Sequence, residues 1–162
     1  MITTQIEQAI CLRLQRGLGR MVRTVKSYNG EADDLAAQIK TLPAVWVTYG
    51  GSRVETISGG SRYQDTATFA VMCATRSLRN EAAQRQGGVV LQEIGSNDLI
   101  DAVRRLLDGQ RLGLPAADSR GLVPKAIRAI ANHALVQQAA VSVYALEYTL
   151  RPVSYTHLRA HE

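Results

Sequence analysis

The chain has 162 residues, 46% hydrophobic and 20% charged, which fits one globular domain around one core and excludes an intrinsically disordered chain. Its net charge of +5 comes from 16 Arg and 3 Lys, yet the longest contiguous basic run is Arg104-Arg105. That scatter favours protein interfaces, where the planar arginine fork pairs with carboxylates, over a clustered nucleic-acid patch.

The first element is a helix. Thr4 and Glu7 read as a capping box, Ile6, Ile10 and Leu14 recur at four-residue steps, and Gly17 with Gly19 closes the run. A short strand is expected over 21–28, ending at the Asn29-Gly30 turn signal. A second, shorter helix follows, with Asp33 and Asp34 at its electropositive end, Leu35, Ala36 and Ile39 on its buried side, and Pro43 beyond it. From Ala44 to Tyr49, Val45, Val47 and Tyr49 alternate with Trp46 and Thr48, the period of a strand.

Between Gly50 and Arg62 the chain turns polar and glycine-rich, which predicts a mobile loop or a protruding hairpin. Tyr63 to Thr75 is a long strand with Phe69, Val71 and Cys73 on one face, and a polar turn with a short helix is expected over 77–86. Ser96 is placed as the cap of the best helix, striped by Leu99, Ile100, Val103, Leu106 and Leu107 and closed by Gly109. Two strands, around 122–130 and 140–150, complete the domain. The last is apolar on both faces, which predicts a central strand covered on each side.

This order implies an α+β fold: a mixed, mostly antiparallel sheet of about four to five strands with helices packed on it. Residues 1–151 read as a single domain. The segment from Val153 to Glu162 resembles, at every position, the translation of a transposon-end adaptor used in sequencing libraries. Residues 152–162 are therefore expected to be a disordered, non-native tail, and the His157/His161 spacing within it is set aside as a metal signal.

Chemistry is hard to find in what remains. The glycine pairs match neither a P-loop nor a dinucleotide fingerprint, and no G-x-S-x-G elbow occurs. Cys11 and Cys73 lack partners at metal-ligand spacing and read as buried, reduced thiols. His133 reads as a solvated loop residue beside Asn132. Asp98 and Asp101, and Asp108 at the other end of their helix, could in principle pair for metal or acid/base work, but the helix dipole explains the first two more simply. No catalytic residue, metal ligand or cofactor is therefore expected, and the protein is not expected to be an enzyme. No apolar run approaches the roughly 20 residues of a membrane span, and Met1 to Glu7 lacks the marks of a signal peptide. A soluble protein made in the cytoplasm is the expectation. Arg53 and Arg62, flanking the glycine-rich stretch, are the candidate interface residues.

Specific strings carry a resemblance. Asp33-Asp34-Leu35-Ala36-Ala37-Gln38-Ile39, then Leu42-Pro43-Ala44-Val45-Trp46-Val47-Thr48-Tyr49-Gly50-Gly51, resemble the Mu-like prophage tail protein family, placed among tail terminators. Arg79-Asn80-Glu81-Ala82-Ala83, Val103-Arg104-Arg105-Leu106-Leu107, Gly109-Gln110, Leu112-Gly113-Leu114 and Val141-Ser142-Val143-Tyr144-Ala145-Leu146-Glu147 extend it in order across residues 1–151. The resemblance implies a minor tail protein assembling with itself as a ring, a hexamer, on the head-proximal end of the tail tube. There it would stop tube polymerisation and contribute to head-tail joining. Its implied partners are the tail tube protein and a head-completion or connector protein, with DNA only passing through the ring and no membrane. Its implied location is the virion tail, and the host cytoplasm during assembly. A neck connector protein and a small DNA-binding protein remain the alternatives.

Overall fold

Alternating apolar residues on four long strands build one sheet, and its two faces are covered by different parts of the chain. The computed structural model describes residues 2–57, 59, 60, 62–78, 95–136, 139–153, 155 and 156. Its helices are α1 (Ile2–Leu18), α2 (Leu35–Gln38) and α3 (Ser96–Leu107), with short 3-10 turns at Gly19–Met21, Glu31–Asp33 and Ile39–Thr41. Its strands are β1 (Thr24–Ser27), β2 (Ala44–Ile57), β3 (Arg62–Leu78), β4 (Val123–Val136), β5 (Ala139–Leu150) and β6 (Tyr155–Thr156). The sheet order is β1-β2-β3-β5-β4, with β6 against β3. Only β1 and β2 run parallel, because the helical connection 28–43 returns the chain to its starting end; the other pairs are antiparallel. This is the expected α+β class, with a mixed and mostly antiparallel sheet.

On the first face, Ile6, Ile10 and Leu14 of α1 and Leu99, Val103 and Leu107 of α3 meet Val45, Val47, Phe69, Val71, Cys73, Leu146, Tyr148 and Leu150. On the second, Ile39 and Leu42 cover Ala44, Trp46, Met72, Ala74, Val141, Val143 and Ala145. β5 is thus buried on both faces as far as Leu146 and is flanked by β3 and β4, the central place its sequence predicts. Gly17 belongs to α1, and a Cβ there would run into the Leu106 side chain. A larger residue at 17 would thus push the Leu106 side chain aside where α1 approaches α3, and the Arg13 Nε that donates to the Leu106 carbonyl ties the same two helices.

Several local expectations are corrected. Helix α1 starts at Ile2, so Thr4 lies inside it and forms no capping box with Glu7. Gly95 is the N-cap of α3, and the Ser96 hydroxyl instead meets Thr75 Oγ1 at 2.8 Å, tying α3 to β3. Ala36 is exposed, since the buried side of α2 is set by Leu35 and Ile39. Asp34 acts as a cap, its side chain accepting from the Ala37 N–H at 3.3 Å. His133 lies within β4, not in a loop.

The glycine-rich stretch is a hairpin, the second of the two forms expected for it. Gly50-Gly51 marks a bulge between Tyr49 and Gly51 within a continuous β2, and Gly59 and Gly60 turn the chain with φ of 76° and 75°. Apart from 77 and 78, which end β3, the turn and helix expected over 77–86 lie outside the described residues. So do residues 157–162 of the expected tail; Pro152 bridges Ala116, and Tyr155–Thr156 pair with Tyr63 and Arg62.

Candidate interaction surfaces

Arg53 and Arg62 stand on the same hairpin but do not form one site. Arg53 is paired in register with Thr66, and Arg62 with Ile57, four positions farther out along β2. Both are exposed, and the Arg53 guanidinium has Glu55 at 3.7 Å. The surroundings differ. Arg53 opens onto a groove, whereas Arg62 sits near the hairpin end beside Thr156.

The groove lies on the second face of the sheet, beyond the half covered by Ile39 and Leu42. Ala67, Phe69, Tyr148 and Leu150 point into the first core, so the intervening Thr66, Thr68, Thr149 and Arg151 project to the opposite side. There they form the floor of a groove of about 520 Å³ that crosses the sheet from β2 to β4. Arg53, Arg120, Lys125 and Arg151 line it against a single carboxylate, Asp118. Arg120 grips Asp118 with Nη2 to Oδ2 at 2.7 Å and Nε to Oδ1 at 3.1 Å. That grip, with the Arg120 backbone N–H, holds the Asp118 carboxyl down at about 2. Thr66 Oγ1 is buried in the floor without a hydrogen-bond partner.

Two further features lie on the sheet edges. Among the described residues β4 forms one outer edge, and β2 beyond Val47 forms part of the other because β1 reaches no farther. Ile127, Ile130 and Leu135 on β4 are 46%, 54% and 65% exposed, and Tyr49 and Val54 on β2 are 39% and 59% exposed. β4 is broken by register shifts at Pro124/Ala126, Ala129/Ala131 and Ala131/Ala134, which limits regular pairing to short stretches.

Of the titratable groups that sequence reasoning tested, Asp108 and the two cysteines are tied into the fold, whereas Asp98 and Asp101 are exposed. Asp108 Oδ1 accepts from the buried Tyr148 hydroxyl at 2.7 Å, and its Oδ2 faces Arg104 at 2.8 Å. Burial, and then that bond to Asp108, push the Tyr148 phenol well above its ordinary value. Cys11 and Cys73 are both buried and unbridged, and burial pushes the Cys73 thiol up to about 12, far from a reactive thiolate. Among the described residues no group of three or more His, Cys, Asp or Glu side chains could hold a metal ion, and no helix is long and apolar enough to cross a membrane. Lys125, Arg120 and Arg151 were missed because the first two lie roughly thirty residues from Arg151 and far from Arg53, and only the strand order brings them together. The only hint was the basic residue directly following the strand Ala139–Leu150.

Residues 1–153 match the family described as Bacteriophage Mu, Gp37. The chain belongs to that family. The Mu Gp37 match covers both sheet edges, the groove and every helix described above. It agrees with the Mu-like resemblance in the sequence at the level of a phage protein family. No curated protein matches this Mu Gp37 family member. Among solved structures it is similar to a chain from "Virion of native gene transfer agent (GTA) particle", at 12% identity and a TM-score of 0.47, covering 90% of this chain and 94% of that one.

Proposed function

We propose that this Mu Gp37 family member is a structural tail protein that works through surfaces and transforms no bound molecule. It closes into a ring on the head-proximal end of the tail tube, ends tube polymerisation and offers its outer face to the head-completion or connector protein. Its place is the virion tail. The observation that carries this reading is the pair of sheet edges left open among the described residues. Five exposed large hydrophobic residues sit on them, Tyr49 and Val54 on one side and Ile127, Ile130 and Leu135 on the other. Two different edges joined head to tail make a heterologous contact, and such contacts generate rings when the rotation closes. Apolar side chains on an open strand edge favour pairing with another chain, while the bulges of β4 confine it to short stretches.

The test is solution mass, with and without assembled tail tube protein, for the wild type and for Ile130→Lys with Leu135→Lys. Oligomers of the wild type and a monomeric double variant of unchanged melting temperature are expected. A wild type that stays monomeric at every concentration and leaves tube ends uncapped sinks the proposal.

A further inference from the structure

The basic groove is not needed for edge pairing, and its residues ask for a ligand of their own. Among the described residues four cations converge on one patch of sheet, and one carboxylate lines it. Arg120 is engaged by Asp118, and among the described residues Arg53 meets the distant, exposed Glu55, so Lys125 and Arg151 dominate what remains. Gathering like charges destabilises the isolated chain, and a docking anion relieves that repulsion. The floor adds a second signal. Thr66 Oγ1 is buried without a partner, and a buried hydroxyl is ordinarily bonded. Rotation of the Thr66 side chain about its Cα–Cβ bond would carry that hydroxyl to an acceptor seated in the groove.

We propose that the groove between Arg53, Lys125 and Arg151 seats an acidic segment of a partner protein, binding at least two of its carboxylates. Size and lining select this ligand over nucleic acid. A groove of about 520 Å³ takes a few side chains, not a duplex, and no aromatic residue lines it for base stacking. Asp118 repels either anion, and the Arg120 fork that grips it shows carboxylate recognition in this lining, with bonds of 2.7 to 3.1 Å. The partner segment is held extended across the strands, its acids meeting Arg151 and Lys125 and a carboxylate or carbonyl oxygen reaching Thr66.

The experiment titrates hexaglutamate peptide into the full chain at low salt and follows backbone amide resonances. Expected are shifts at Thr66, Thr68 and Thr149, and binding weakened at least about tenfold by Lys125→Glu with Arg151→Glu, two exposed positions whose exchange relieves the crowding of cations and does not lower the melting temperature. Lys125→Arg retains binding. The proposal is overturned if the peptide leaves these amides unmoved or binds the double variant equally well. It also fails if inorganic phosphate competes as effectively as the peptide, or if a short DNA duplex binds the same residues more tightly. Ring formation is measured separately by mass, so either idea can fail alone.

Discussion

Glu31 is the one buried acid among the described residues, at 5% exposure, and it organises the turn after β1. Its Oε2 meets Lys26 Nζ at 2.5 Å, and its Oε1 accepts from the Asn29 N–H at 2.6 Å. Burial works to raise its pKa, but the Lys26 contact and the backbone N–H bonds outweigh that and hold it below the ordinary 4.5. A depressed folded pKa contributes stability that is full above the unfolded value and disappears as pH falls through the folded one. Glu31→Gln is therefore expected to cost about 1–2 kcal/mol at neutral pH. That cost shrinks as pH drops below 4.5, which urea titrations of both proteins at several pH values would show. A constant difference across the acid range would mean that the charge of Glu31 is not what holds the turn.

At the scale of elements, the join between α3 and β4 depends on a glycine. Gly109 N–H donates to the Leu122 carbonyl at 2.8 Å, and Leu122 N–H to the Gln110 carbonyl at 2.9 Å. Between them Gly121 has φ +65°, and a Cβ there would lie 2.5 Å from Gln110 O, a backbone atom that cannot swing away. Gly113, with φ +67°, has nothing within 4 Å of the same position. Gly113→Ala should cost about 1 kcal/mol from backbone conformation alone, and Gly121→Ala at least about 2 kcal/mol more. Equal losses in denaturant melts would mean that the loop relaxes away from Gln110. The same join is strapped by Tyr148 to Asp108, so Tyr148→Phe is expected to cost about 1–2 kcal/mol.

The legibility of these elements follows their burial. Where both faces of a strand are covered, as along Val141 to Leu146, apolar residues occupy both sets of alternate positions and the strand can be read directly. In the outer hairpin neither face is covered, so Ser52 to Thr56 shows no period and only the glycines stand out. Those glycines mark a bulge and a turn, and as loop boundaries they mislead. β4 reads short because its bulges reset the alternation near Ala131. Of the candidate surfaces, Arg53 was within reach as a basic residue flanking glycines. The groove was not, because Arg53, Lys125 and Arg151 meet only through strand order.

At the scale of the whole molecule, the sheet divides two kinds of attraction. Its edges present aliphatic side chains, and the open half of its second face presents cations over threonines. Salt acts on these oppositely. Exposed charges are screened over about 10 Å at 0.1 M salt and about 3 Å at 1 M, while apolar burial is not weakened by screening. Raising sodium chloride across that range should weaken hexaglutamate binding by at least about tenfold. Self-association, measured by sedimentation on the same samples, should hold or tighten. If the oligomer instead dissociates in step with the peptide, the cations are the contact between copies. The open edges would then be bystanders, and the division of labour between edge and face would have to be reversed.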